Sequence, residues 1–196
     1  MTQPERDFLE RLRQGDHQAF TQMVRDNQDR VYSYLYRMLG NSYEAAEVSQ
    51  EVFLAAFRFV SSYRGESSLT TWLLRIASNM YKNHVRHNAR RKRSRETSFD
   101  DVFEHADYQP IGQRPENPEA LVARNEVETA IGIALNGLSE EFREVLILRD
   151  MELMAYEEIQ ELTGIPEGTI KSRLHRARAQ LAKLLGRYVD GGGDKG

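Results

Sequence analysis

The chain has 196 residues, 40% of them hydrophobic and 29% charged, with a formal net charge of −3, which allows one large domain or two small ones with ordinary apolar cores. No run approaches the ~18 consecutive apolar residues that span a bilayer, and the opening MTQPERDFLERLRQGD is too charged for a secretory signal, so a cytoplasmic chain without membrane insertion is expected. The lack of cysteine excludes disulfides, thiolate metal sites and thiol redox sensing within the chain.

In chain order, the first long helix is predicted from about Gln18 to Met38, with Phe20, Val24, Val31, Leu35 and Met38 on one side and Gly40-Asn41 ending it. A second, from about Tyr43 to Val60, carries Ala45, Val48, Val52, Ala55, Ala56 and Phe59 at helical spacing. The polar stretch Ser61 to Ser68 reads as a loop around Gly65. A third helix starts near Leu69, with Leu69, Trp72, Leu73, Ile76 and Met80 as its apolar stripe, and dissolves into a basic run. Glu96 to Pro118 is acidic, proline-bearing and without period, as a flexible linker is. Helix resumes near Pro118, where Leu121, Val127, Ile131 and Leu135 lead to a break at Gly137, and Ser139 stands as an N-cap for EEFREVLILRD. The tail after Leu185 is expected to be disordered.

The most informative stretch is Tyr156 to Leu185. Ile159, Leu162, Ile165, Ile170, Leu174, Ala177, Leu181 and Leu184 recur mostly three or four residues apart, and Thr163-Gly164-Ile165-Pro166 interrupts them once. Two amphipathic helices joined by a glycine turn follow, the second bearing Lys171, Ser172, Arg173, His175, Arg176 and Arg178. A short helix, a tight turn and a basic second helix are the parts that place side chains in a major groove.

Charge is segregated along the chain. Lys82 to Arg95 holds Lys82, Arg86, Arg90, Arg91, Lys92, Arg93 and Arg95 without an acid, and the next segment sets Glu96, Asp100, Asp101, Glu104, Asp107, Glu116 and Glu119 against Arg114 alone. Local basic surfaces on an acidic chain point to nucleic-acid binding that needs a partner to be strong. Enzyme signatures are missing: there is no phosphate-binding glycine loop, nucleophile elbow or metalloprotease motif. His84 and His87 can share a helix face but lack an accompanying carboxylate in the basic run, so no metal or other cofactor is expected.

Three segments in series resemble the extracytoplasmic-function (ECF) sigma factors of bacterial RNA polymerase: EAAEVSQEVFLAAFR (44–58), SYRGESSLTTWLLRIASNMYKNHVR (62–86), and the stretch from LSEEFREVLILRD through the helix-turn-helix. The resemblance implies an all-α fold of two small domains. A region 2-like domain (1–95) would bind core polymerase and read and melt the −10 element. An acidic linker (96–118) would thread the polymerase's RNA path. A region 4-like helix-turn-helix domain (119–187) would read the −35 duplex, with a disordered tail at 188–196.

By that resemblance Asp29, Tyr32, Glu47, Gln50, Glu51 and Phe53 dock on a helical hairpin of the β′ clamp. Tyr63, Arg64, Ser67 and Ser68 form the loop that captures a flipped base of the non-template strand, for which short and cationic groups around a glycine are suited. Arg75, Asn79, Lys82, Asn83 and Arg86 follow at helical spacing, amides to read base edges and cations to hold phosphates. Thr169, Lys171, Ser172, His175 and Arg176 take the −35 reading positions, with Arg173 and Arg178 toward the backbone. The family also implies an anti-sigma partner. Two other readings stand beside it. A stand-alone helix-turn-helix regulator explains the C-terminal half but leaves SYRGESSLTTWLLRIASN without a purpose, and a purely protein-binding helical adaptor leaves the basic faces without one.

Overall fold

The structure is a computed structural model, and it describes residues 2–94 and 118–191. The side chains of residues 91–94, 118–126 and 188–191 fall outside the description, as do the acidic linker apart from Pro118 and the tail from 192 onward. The described residues are helical, without a strand, and fall into two compact units.

The first unit holds α1 (Gln3–Arg13), α2 (His17–Leu39), α3 (Ser42–Phe59) and α4 (Leu69–Ser94). α2, α3 and α4 pack on one another around Met23, Val31, Tyr34, Leu35, Val48, Val52, Leu73 and Ala77, each essentially inaccessible to solvent. The starts of the helices are set by local chemistry. Asp16 accepts the backbone N–H groups of Gln18 (2.8 Å) and Ala19 (3.1 Å), and Asn41 does the same for Tyr43 (2.9 Å) and Glu44 (3.1 Å), satisfying donors a helix leaves open. A part-buried side-chain bond fastens α4 to α2: the Thr70 hydroxyl donates to the Asn27 side-chain carbonyl at 2.8 Å, while the buried Asn27 amide donates to Met23 O at 2.9 Å.

Three expectations change here. α1 was not foreseen, because its packing face is only Leu9 and Leu12 in an otherwise charged segment. α4 does not dissolve at the basic run but continues to Ser94. Phe59, expected in the core stripe of α3, is 59% exposed; a 3-10 turn (Val60–Ser62) follows at once, and its tighter winding carries Val60 into the core and leaves Phe59 outside.

The second unit holds α5 (Pro118–Asn136), α6 (Glu140–Leu146), α7 (Tyr156–Thr163) and α8 (Glu167–Gly191). Its core joins Leu135, Val145, Leu146, Ile147, Leu148 and Ile159 to Ile170, Leu174 and Ala177 of α8. Arg143 closes the end of α5 by donating to the carbonyls of Asn136 (3.0 Å) and Leu138 (3.2 Å). Gly137 lies against α8: a Cβ there would sit 2.9 Å from Leu184 Cδ1, so a larger residue would push that side-chain tip aside. Ser139 does occupy the N-cap position of α6, but through its carbonyl, which accepts from Phe142 and Arg143, and not its hydroxyl. The run EEFREVLILRD is not one regular helix. It widens into a π turn at Ile147–Met151, closed by Glu152 N–H to Ile147 O at 2.9 Å. Val127, expected in the stripe of α5, is 59% exposed, since it lies two turns before the covered Ala134.

Candidate nucleic-acid interfaces

In the second unit, α7 and α8 meet through Gly164, whose φ of +72° is the left-handed conformation that glycine adopts without strain. Pro166 stands just before α8 and its carbonyl accepts Thr169 N–H (2.9 Å) and Ile170 N–H (3.0 Å). With Ile170, Leu174 and Ala177 buried, Thr169, Lys171, Ser172, His175 and Arg176 are all exposed on the other side. Arg173 and Arg178 are engaged within the protein. Arg173 pairs with Glu141 at 2.8 Å, and Arg178 grips Asp150 with two bonds, at 2.6 and 2.9 Å. The single contact of Arg173 ties α8 to α6, and the fork of Arg178 ties it to the π turn. Lys171 is also paired: its ammonium lies 2.5 Å from Glu167, which raises its pKa. The Tyr156 ring carries two cations, the Arg149 guanidinium 4.6 Å and the Lys171 ammonium 5.2 Å from its centroid.

In the first unit, the loop between the 3-10 turn and α4 turns at Gly65 (φ +78°). Tyr63 is not an outward group. It is 6% exposed, its ring lies 5.1 Å from that of Trp72, and its hydroxyl donates to Ser67 O across the loop. Burial pushes its phenol pKa up and keeps it a neutral donor. Ser68 is the N-cap of α4, its hydroxyl accepting Thr71 N–H at 3.0 Å. Arg64 and Glu66 point outward, with side chains 82% and 71% exposed. Along α4, Asn79, Asn83, Arg86 and Arg90 form one exposed stripe, while Arg75 and Lys82 are half-buried. His84 turns to the other side, where its Nε2 lies 2.9 Å from a carboxylate oxygen of Glu44 on α3. A carboxylate therefore does accompany His84, brought by tertiary packing, though no group of three or more potential metal ligands occurs among the described residues.

On α3, Glu47, Gln50 and Glu51 are exposed and Phe53 is half-buried at the edge of a groove of about 460 Å³. Phe20, Val24 and Gln28 of α2 form its other wall, and the Phe20 and Phe57 rings meet edge to face at 5.0 Å. Tyr32 is buried, stacked on Tyr36 at 6.1 Å, and Asp29 is half-buried. Tyr32 therefore offers little outward surface.

Residues 23–91 match the model of Sigma-70 region 2 and residues 129–181 that of Sigma-70 region 4. The RNA polymerase sigma-H factor of Pseudomonas aeruginosa is 34% identical over 182 residues, 92% of this chain and 93% of that one. The ECF RNA polymerase sigma-E factor of Escherichia coli (strain K12) is 34% identical over 173 residues, 87% of this chain and 88% of that one. The chain belongs to the ECF sigma factors of RNA polymerase. A sigma factor is not an enzyme but a promoter-specificity subunit of RNA polymerase. The fold of this sigma factor is also that of RpoE from Bartonella quintana, solved in complex with the anti-sigma factor NepR. The TM-score is 0.68 at 24% identity, over 90% of this chain and 98% of that one.

Several groups at these surfaces escape a reading of the sequence. Leu54 (59% exposed) and Phe57 (47% exposed) pass for core in an apolar-rich helix, and become a surface only because α2 leaves the groove open. Arg149 lies in a segment with a continuous apolar signal, and the π turn brings it over Tyr156. Arg90 was legible, standing four residues after Arg86 on the same face.

Proposed function

We propose that the two units divide promoter recognition between them, the first reading the melted −10 strand and the second the −35 duplex. The observation that carries this is the outward face of α8, where Thr169, Ser172, His175 and Arg176 are exposed opposite a fully buried apolar stripe. Base edges would be read by Ser172, His175 and Arg176. Lys171 would reach a phosphate or base once it leaves Glu167, and Arg149 joins it from across Tyr156. In the first unit, Arg64 and Ser67 around Gly65 would enclose an unstacked base, with Tyr63 and Ser68 as the frame that holds them. The stripe Asn79, Asn83, Arg86 would follow the strand, with Arg75 and Lys82 at its margin.

The α3 face of Glu47, Gln50 and Glu51, with the groove edged by Phe53, Leu54 and Phe57, would dock on the β′ clamp of core polymerase, with Asp29 at its edge. An apolar centre with a charged rim suits a protein partner. The same exposed groove suits an anti-sigma factor that competes with polymerase, a reading supported by the anti-sigma complex of the similar RpoE. Function in the cytoplasm, where polymerase is, follows from these partners, and no described helix is long and apolar enough to cross a membrane.

Run-off transcription from genomic fragments, with core polymerase and with or without the chain, tests the proposal. Discrete new starts sharing two upstream elements are expected, and they should vanish with His175→Ala plus Arg176→Ala. Duplex binding by the chain alone without new starts would overturn it.

A further inference from the structure

The loop from Tyr63 to Ser68 is closed from several sides. Tyr63 N–H donates to Val60 O at 3.1 Å, the Tyr63 hydroxyl donates to Ser67 O, and the Ser68 hydroxyl caps α4. One further bond comes from a distant element: Arg13, the last residue of α1, donates a guanidinium N–H to the Tyr63 carbonyl. Arg13 does not swing freely, because α1 is fixed at the same end. Arg11 Nε bonds the Asp16 carboxylate at 2.8 Å, and that carboxylate caps α2. Leu9 and Leu12 are buried, at 4% and 2% exposure, and α1 packs on both α2 and the 3-10 turn that leads into the loop.

From this chain of contacts we infer that Arg13 is a positioning residue for promoter recognition, and that α1 sets the shape of the base-capturing loop. The inference rests on the reading of that loop given above. The physical argument is one of preorganisation. A loop that must enclose a single unstacked base discriminates only if its walls keep their place, and a misplacement of about 1 Å erodes a polar contact. Tyr63 is the strut on which Ser67 hangs, and its backbone is otherwise held by one turn bond. The guanidinium adds a charge-assisted bond to that backbone from a packed helix. No part of Arg13 has to touch DNA for this effect.

The test uses core polymerase reconstituted with the full chain. Forked promoter fragments, built on starts mapped by run-off transcription, carry each of the four bases in turn at every melted −10 position. Wild type is compared with Arg13→Ala, Arg13→Lys and the loop variants Arg64→Ala and Ser67→Ala, together with core affinity and thermal midpoint. Arg13→Ala is expected to flatten the preference for the best base about tenfold, the scale of one hydrogen bond from a charged donor. Core affinity should stay unchanged, and Arg13→Lys should restore part of the preference. Full preference in Arg13→Ala while the loop variants lose theirs would overturn the positioning role alone. Intact preference in both loop variants would remove the reading of the loop itself. A loss in Arg13→Ala matched by equal losses of core affinity and thermal midpoint, without rescue by lysine, would make α1 a general stability element and also overturn the inference.

Discussion

Leu153 sits at φ +57° with 79% of its surface exposed, in the short link between the π turn and α7. A leucine in the left-handed region costs about 1–2 kcal/mol, and its exposure returns almost no burial. Glycine at this position removes the strain but loosens the unfolded chain by about 0.5–1 kcal/mol. Leu153→Gly is therefore expected to stabilise the second unit by about 0.5–1 kcal/mol, raising its thermal midpoint by roughly 2–8 °C, whereas Leu153→Val should lower it. Scanning calorimetry of the two variants checks both signs. Asp16 governs a pH dependence. Its bond from Arg11, then those from Ala19 and Gln18, hold its carboxyl down to about 2. A folded pKa below the unfolded one means stability that is complete above the unfolded value, about 4, and lost as pH falls through about 2. Asp16→Asn keeps a competent cap but loses the ion pair. The stability difference between wild type and this variant should shrink as pH is lowered from about 4 to about 2, followed by urea unfolding at each pH.

At the scale of elements, α8, the recognition helix of the proposal, has most of its cations engaged within the protein. Four cations were legible there as Lys171, Arg173, Arg176 and Arg178, but three have acidic partners, contributed by Glu167, Glu141 and Asp150. Exposed pairs of this kind are worth about 0.2–1 kcal/mol. Glu167→Gln is accordingly expected to tighten −35 duplex binding about 1.5- to 5-fold by freeing Lys171, read by fluorescence anisotropy with the reconstituted holoenzyme. Arg176→Ala should weaken the same binding by about 1–3 kcal/mol and relax preference at one base pair. On α3, Leu54→Glu places a charge at the edge of the apolar groove. A loss of at least about tenfold in core affinity is expected, with the thermal midpoint nearly unchanged because Leu54 is 59% exposed. The sequence marked α3 as amphipathic and grouped Glu47, Gln50, Glu51 and Phe53 on one face, of which the three polar residues are exposed and Phe53 is half-buried. It was silent on the groove, since a groove needs Phe20 and Val24 from another helix.

For the whole molecule, two units with their own cores on one chain make promoter binding a problem of effective concentration. Residues 1–94 and 118–191, produced separately and mixed with core polymerase, should each keep their own binding but lose promoter-directed starts relative to the intact chain, by about 10²- to 10⁴-fold in occupancy. Run-off assays on a single promoter give the comparison. What the sequence determined by itself was whatever depends on local period, turn chemistry and sign of charge: the all-helical class, the glycine turn before α8, and the basic outward face of that helix. These properties arise within a few turns of one helix, where side-chain spacing and backbone geometry are set by neighbours in the chain. Only the tertiary structure decided that Tyr63 faces inward, that Arg13 reaches the loop fifty residues away, and that Glu44 meets His84. It also decided that Arg173 and Arg178 bind acids of the protein. Each of these joins residues from different elements, and the packing that brings them together has no signature in the order of residues along either one.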